Sequence, residues 1–322
     1  VATVSRVLNA SGQVSTQAKQ AVQQAAAALG FRPNLLGRSL RGVRTRTFGV
    51  MLPTLLHPVF AECLQGIESA AQFQGYAITL STTGYRADAE EAASERLLQQ
   101  RVDGLILTVA DAVRSPLLDK LDAERVPYVL AFNQPGKRTS GLRPSVGVDN
   151  RKSAQQMVAH LLELGHERIE FVAGQFMQSD RSRQRFAGYQ DAMLAACLPT
   201  RKPLELPFDS TDVRAELQDL LARRDAPTAL FCSNDQLAMT VIRDLRRMGL
   251  RVPEDVSVAG FDGVRVGEWM SPVLSTVVQP NADIGRTAVE ILMQIIAGEV
   301  CMGPATLHHT LRLGGTAQRR VS

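Results

Sequence analysis

Apolar and polar positions follow two rhythms along this chain of 322 residues. From Thr47 onward, short apolar runs alternate with longer stretches in which apolar residues recur every three or four positions. The short runs predict strands at Thr47–Leu52, Ala77–Ser81, Gly104–Thr108, Tyr128–Phe132, Ile169–Ala173, Ala229–Cys232 and Val256–Ala259. The longer stretches predict helices near 58–74, 87–101, 151–164, 182–197, 211–224 and 235–248. Strands alternating with helices imply parallel sheets flanked by helices, an α/β class. Seven or more such units in roughly 275 residues imply two subdomains rather than one.

Before Thr47 only the helical rhythm is present. Val4, Val7 and Leu8 fall on one face of a helix, with Ala2, Arg6 and Asn9 opposite. Asn9-Ala10-Ser11-Gly12 breaks the pattern as a loop. Ser15 is suited to cap a second helix, in which Ala18, Val22, Ala25 and Leu29 recur before Gly30 stops it. Two short helices bury little surface, so a further helix is expected to precede Val1 and complete a small all-α head. Pro33-Asn34 opens a third stretch, Leu35 to Leu40, too short to be a stable helix alone in water. It is either a plain linker helix or a hinge that orders against a partner surface, the DNA minor groove, with Leu40 as an apolar wedge.

Charge sharpens this division. Residues 1–47 contain Arg6, Lys19, Arg32, Arg38, Arg41, Arg44 and Arg46 and no acid, the first being Glu62. The chain's net +4 is thus +7 on the head and −3 on the remainder. A basic head with helical patterning on a mildly acidic body fits a nucleic-acid binder better than a solvated tail. The four cysteines, Cys63, Cys197, Cys232 and Cys301, form no close pair, as in a reducing cytoplasm. No apolar run approaches the ~20 residues that span a bilayer, and no secretion signal opens the chain.

The run Thr3-Val4-Ser5-Arg6-Val7-Leu8-Asn9, then Val14-Ser15, then Phe31-Arg32-Pro33-Asn34, resembles the DNA-binding head of the lactose-repressor (LacI) family. The resemblance extends through the body. Val50–Thr54, Pro58–Ala61, Gly66–Ser69 and Val102–Thr108 are similar to the gluconate-repressor branch. Val148-Asp149-Asn150, Leu164-Gly165-His166, Ser233-Asn234-Asp235, Val252–Asp255 and Gly260-Phe261-Asp262 are further family marks.

The resemblance implies a partial helix-turn-helix head and hinge over 1–46 and a periplasmic-binding-protein type I sensor over 47–322. The sensor's N-subdomain would span about 47–148 plus 278–308, its C-subdomain about 149–277 plus 309–322. By family position Val1, Ala2 and Arg6 would face bases, Thr3, Ser5 and Asn9 would reach phosphates, Leu40 would intercalate, and Asn34 completes the DNA-binding set. Arg6 suits the O6/N7 edge of guanine and Ala2 a thymine methyl.

Ligands in such folds sit beyond the carboxyl ends of the strands. The resemblance places Thr54, Phe60, Arg185, Phe208, Asn234, Asp262 and Gln279 around a small sugar or sugar-acid effector. Asp262 and Asp235 could instead only cap helices, and Phe208 could be core. Arg181 and Arg183 read as solvated, as does the Glu90-Glu91 pair. Many sugar-responsive relatives carry a carboxylate where this chain has Phe132-Asn133, which favours an anionic effector.

No phosphate-binding loop, nucleophile elbow or metal-protease motif is present, so no enzyme activity and no cofactor is expected. His308-His309, on an expected strand, would point to opposite faces and make no metal site. The reading is a cytoplasmic, homodimeric transcription regulator, a repressor on a pseudo-palindromic operator, without a membrane or coiled-coil segment. A solute-binding receptor shares the body but not the basic head; a sugar-acid enzyme would need a nucleophile or metal set.

Overall fold

A computed structural model describes residues 2–8, 13–29, 44–135, 142–208, 210–299 and 303–320. The chain divides into two compact units, residues 1–45 and 46–322.

In the smaller unit, helix α1 spans Ala2–Leu8 and α2 spans Thr16–Ala28. Ser15 caps α2, its hydroxyl accepting the Ala18 N–H at 3.4 Å. Ala18, Val22 and Ala26 are half-buried, whereas Ala25 is exposed and Leu29 is 82% exposed. The covered stripe therefore runs at steps of four and is narrower than expected.

The larger unit holds two sheets of the same design. In chain order its elements are β1 (Thr47–Leu52), α3 (Pro58–Phe73), β2 (Ala77–Thr82), α4 (Ala87–Gln99), β3 (Gly104–Leu107), α5 (Pro116–Ala123), β4 (Tyr128–Ala131), β5 (Ser145–Gly147) and α6 (Asn150–Glu163). They continue with β6 (Ile169–Gly174), α7 (Asp180–Ala195), β7 (Leu204–Leu206), α8 (Arg214–Leu221), β8 (Ala229–Cys232), α9 (Asp235–Arg247) and β9 (Ser257–Asp262). The last are β10 (Ser275–Val278), α10 (Asn281–Ala297), β11 (Ala305–Thr306) and β12 (Thr310–Arg312). The first sheet has the order β2-β1-β3-β4-β5-β11 and the second β7-β6-β8-β9-β10-β12. All pairings are parallel except β10 with β12.

The chain thus builds one lobe, crosses to the second after β5, returns after β10 and crosses once more before β12. The central strands are buried on both faces, which is why they read as continuous apolar runs. Three helices that follow strands start at a capping side chain. Asp149, Ser179 and Asn234 accept the N–H groups of Lys152, Ser182 and Leu237 at 2.9, 3.2 and 2.8 Å. In the first lobe α3 and α10 cross at Gly66 and Gly285. A methyl group on either would stand 1.9 Å from the Ala282 carbonyl oxygen or 2.1 Å from that of Cys63.

Several elements were not anticipated. β5, β7 and β12 have three residues each and β11 two, too few for a periodic signal. His308 and His309 lie between β11 and β12 rather than on a strand, and their rings stack at 5.9 Å instead of facing apart. Glu90 is buried, not solvated. It sits on the inward stripe of α4 with Ala93, Ser94 and Leu97, and its Oε1 accepts the Ala110 N–H at 2.7 Å. Cys63 and Cys232 are buried and Cys197 is exposed. Among the described residues no helix is long and apolar enough to cross a membrane.

Candidate ligand-binding cleft

Both sheets have the strand order in which the connection reverses direction beside the first strand, and ligands collect at the carboxyl ends there. The two lobes face each other across such ends. Between them lies a cleft of about 350 Å³ including its mouth. Its walls come from the segments that follow strands. His57 and Phe60 follow β1, Tyr85 follows β2 and Phe132 follows β4. Ser179, Arg181 and Arg185 follow β6, Phe208 follows β7, Asn234 follows β8, Asp262 ends β9 and Gln279 follows β10.

The polar floor is built from the second lobe. The Arg185 guanidinium lies 3.6 Å over the Phe261 ring. It donates to Asn150 Oδ1 at 2.8 Å, to the Ser233 carbonyl and to Asp262 Oδ1 at 3.2 Å. Gln279 Nε2 donates to the same Oδ1 at 2.8 Å. Burial lowers the Arg185 pKa to about 10 and raises that of Asp262 to about 6, with the mutual attraction opposing both shifts. Both bonds to the Asp262 carboxylate end on Oδ1, and among the described residues no side chain donates to Oδ2. Beneath it, Asp235 is fully buried, accepting from Val264 N and Thr276 Oγ1 at 2.9 and 2.5 Å. Burial and the neighbouring Asp262 push its pKa up.

The opposite face is aromatic. Phe60 meets Phe132 edge-on, with ring centroids 5.7 Å apart. The Tyr85 hydroxyl hydrogen-bonds His57 Nδ1 at 2.8 Å. Burial lowers the His57 pKa, and a backbone hydrogen bond with Phe208 works the other way. Phe208 packs on Gly174, where any side chain would collide with its ring at 2.3 Å. Tyr85, Phe132 and Asp262 hold positive φ angles of 61, 68 and 120°. Non-glycine residues adopt that region at a cost, and such strain gathers at binding sites.

Six of the seven residues expected around an effector therefore line one cleft: Phe60, Arg185, Phe208, Asn234, Asp262 and Gln279. Thr54 does not. It lies in the turn before α3, its hydroxyl accepting the Leu56 N–H at 3.1 Å, and His57 occupies the wall instead. Asn234 does cap α9, but Asp262 caps nothing and Asp235 is a buried strut under the sheet ends.

Arg181, expected in solvent, is 5% exposed and lines the cleft. Arg183 is half-buried and pairs with Asp111 at 2.6 Å. The signal for Arg181 was available: it falls on the face of α7 that carries Arg185, Gly188, Tyr189 and Ala192. Asn133 does not line the cleft. It is fully buried, bonding Val109 on both backbone groups and the Asp180 carboxylate, all at 2.9 Å.

Of the expected DNA-binding residues, Thr3 and Arg6 are exposed on α1. Val1, Asn9, Asn34 and Leu40 lie outside the described residues, as do the side chains of Ala2 and Ser5. Among the described residues no cluster of metal-ligating side chains occurs.

Residues 1–34 match the family model of bacterial regulatory proteins, lacI family, and residues 158–320 match a periplasmic binding protein-like domain. Catabolite control protein A of Priestia megaterium is 33% identical over 301 residues, covering 93% of this chain and 90% of that protein. The HTH-type transcriptional regulator GntR of Escherichia coli (strain K12) is 33% identical over 320 residues, covering 98% and 94%. Among solved structures, a lac repressor dimer bound to operator and the anti-inducer ONPF superposes with a TM-score of 0.87 at 26% identity. The match covers 98% of this chain and 95% of that one.

Proposed function

Because the chain belongs to the lacI family of bacterial regulatory proteins, a family of DNA-binding transcription regulators, we propose that it is an effector-controlled repressor acting as a homodimer. The basic head would read one half of a pseudo-palindromic operator per subunit, Arg6 at a base edge and Thr3 at a phosphate, since two-fold protein symmetry is matched by two half-sites. The effector occupies the cleft between the lobes. Asp262 Oδ2, Gln279 and Asn234 take its hydroxyls, and Tyr85, Phe208 and Phe60 cover its apolar faces.

The observation that carries this reading is the Arg185–Asp262–Gln279 group, buried at strand ends between two lobes and facing an aromatic wall. That pairing of hydrogen-bonding floor and apolar cover suits a sugar or sugar acid. A gluconate-like acid is favoured, as the chain's likeness to the gluconate-repressor branch suggests. Binding shifts the lobes' relative arrangement and with it operator affinity, which requires unequal affinity for the two arrangements.

The test is release of a selected genomic operator fragment. DNA bound by the protein is recovered from fragmented genomic DNA, and its affinity is measured by fluorescence anisotropy with and without gluconate, related sugar acids and neutral sugars. An affinity change of tenfold or more with one of them supports the proposal. Unchanged affinity with all of them at saturation refutes it.

A further inference from the structure

Resting on the reading of the cleft as the effector site, we propose that Arg181 makes this cleft select an effector bearing an oxyanion, and that it ties capture of that anion to lobe closure.

Two guanidiniums line the cleft, and they differ in how far they are committed. Arg185 spends Nε on Asn150 and Nη1 on Ser233 and Asp262, and its face covers Phe261. Its charge is matched by Asp262 in direct contact. An acid group arriving there would have to displace a buried carboxylate. Among the described residues Arg181 makes two bonds, to the Val109 carbonyl at 2.9 Å and to Asp180 Oδ1 at 3.3 Å, and both leave from Nη1. Its Nε and Nη2 edge keeps the N–H groups that grip a carboxylate or phosphate side-on.

Its acidic neighbour is also shared out. The Asp180 carboxylate accepts Asn133 Nδ2 on both oxygens at 2.9 Å and the Ala112 N–H at 3.0 Å. Those neutral donors occupy the Asp180 oxygens, and its contact with Arg181 is long at 3.3 Å, so the remaining N–H groups of the guanidinium are open to a charged acceptor. An oxyanion gains charge-assisted bonds from that Nε and Nη2 edge that a neutral polyol cannot match.

The partners of Arg181 and Asp180 explain the link to closure. Val109, Ala110, Ala112 and Asn133 belong to the first lobe, while Arg181 and Asp180 start α7 in the second. Asp180 N also donates to the Ala110 carbonyl at 2.8 Å. An anion held by Nε and Nη2 fixes the guanidinium whose Nη1 already crosses to the first lobe.

The experiment is calorimetric titration of the full chain with two matched pairs, gluconate against sorbitol and glucose 6-phosphate against glucose. Sulfate serves as a bare oxyanion probe in melting curves at fixed ionic strength. In the parent protein one acid should bind at least about tenfold more tightly than its neutral partner, the effect of a charge-assisted bond. The pair that shows this separates a carboxylate from a phosphate. R181Q should abolish the difference and the sulfate stabilisation, and R181K should retain part of both. Because R181Q alone leaves the buried Asp180 less well paired, D180N/R181Q provides a second neutral variant with the same expectation.

Equal affinity for acid and neutral partners in the parent protein, discrimination that survives R181Q, or no response to any oxyanion overturns the proposal. Operator affinity is read separately. Acid binding through Arg181 without operator release would refute the regulatory reading alone, and release by a neutral sugar that R181Q leaves intact would refute this one alone.

Discussion

Phe208 lies flat against Tyr85 across the mouth of the cleft, with ring centroids 4.1 Å apart and planes within 3° of parallel. Tyr85 belongs to the first lobe and Phe208 to the second, so the stack both closes the lobes and roofs the site. Stacked aromatic pairs contribute about 0.5–1.5 kcal/mol beyond the area they bury. F208A should therefore weaken effector binding by roughly three- to tenfold while barely moving the melting temperature, since Phe208 is half-exposed and outside the main cores. Calorimetry with the effector found in the release test, paired with a thermal melt, checks both halves. An unchanged affinity would show the stack to be dispensable.

Asn133 also joins the two lobes. Its amide satisfies both backbone groups of Val109 and reaches Asp180 in the facing lobe. N133A would orphan a buried N–H and withdraw a donor from a buried carboxylate. Each buried unsatisfied group costs about 1–3 kcal/mol, so a loss on the order of 2–4 kcal/mol in chemical denaturation is expected. N133D should do worse at pH 8 than at pH 5, because it sets a second carboxylate beside Asp180.

The frame of the fold was legible because parallel strands buried on both faces produce unbroken apolar runs such as Phe48–Leu52. The short strands that flank the crossovers were not, because β5 and β12 are too short to carry a period and their places are set by partners distant in sequence; the crossover positions came from the family resemblance alone. In the site, Asp262 and Asn234 stood out as polar residues directly after apolar strands. Arg181 and Glu90 read as solvated by residue type, but their positions turn them inward. Both lie on the inward stripe of their helices at steps of three and four from buried neighbours. Tyr85 and His57 left no sequence signal, since the hydrogen bond that joins them closes between segments 28 residues apart. Thr54 looked like a strand-end ligand, but the chain needs three more residues before Pro58 starts α3, and those carry it past the cleft.

Glu90 supplies a pH test. Burial raises its pKa to about 7, with the Ala110 N–H opposing the shift. The folded state thus holds a proton that the unfolded chain releases near the ordinary value of 4.5. The stabilisation from this group is complete below that value and is lost as pH rises through about 7. E90Q keeps the acceptor for Ala110 and cannot ionise. It should melt with the parent protein at pH 4.5 and be more stable at pH 8, by on the order of 1–3 kcal/mol. Parallel curves across that range would place the Glu90 carboxyl in an ordinary environment.

The head makes a different kind of prediction, because its contacts are with a polyanion. Arg6 is exposed on α1, in a segment without a single acid to pair it, and its fork matches the O6/N7 edge of guanine. A base contact and a phosphate contact fail differently. Loss of a phosphate contact weakens all sequences alike and lowers the salt slope by about one, whereas loss of a bidentate base contact costs about 1–3 kcal/mol on the operator only. R6A should therefore lower affinity for the selected operator by roughly five- to 150-fold and leave binding to scrambled DNA nearly unchanged. Anisotropy titrations of both duplexes over a range of salt concentrations measure the two quantities together. Equal losses on operator and scrambled duplex, with a shallower salt slope, would move Arg6 from the base edge to the backbone.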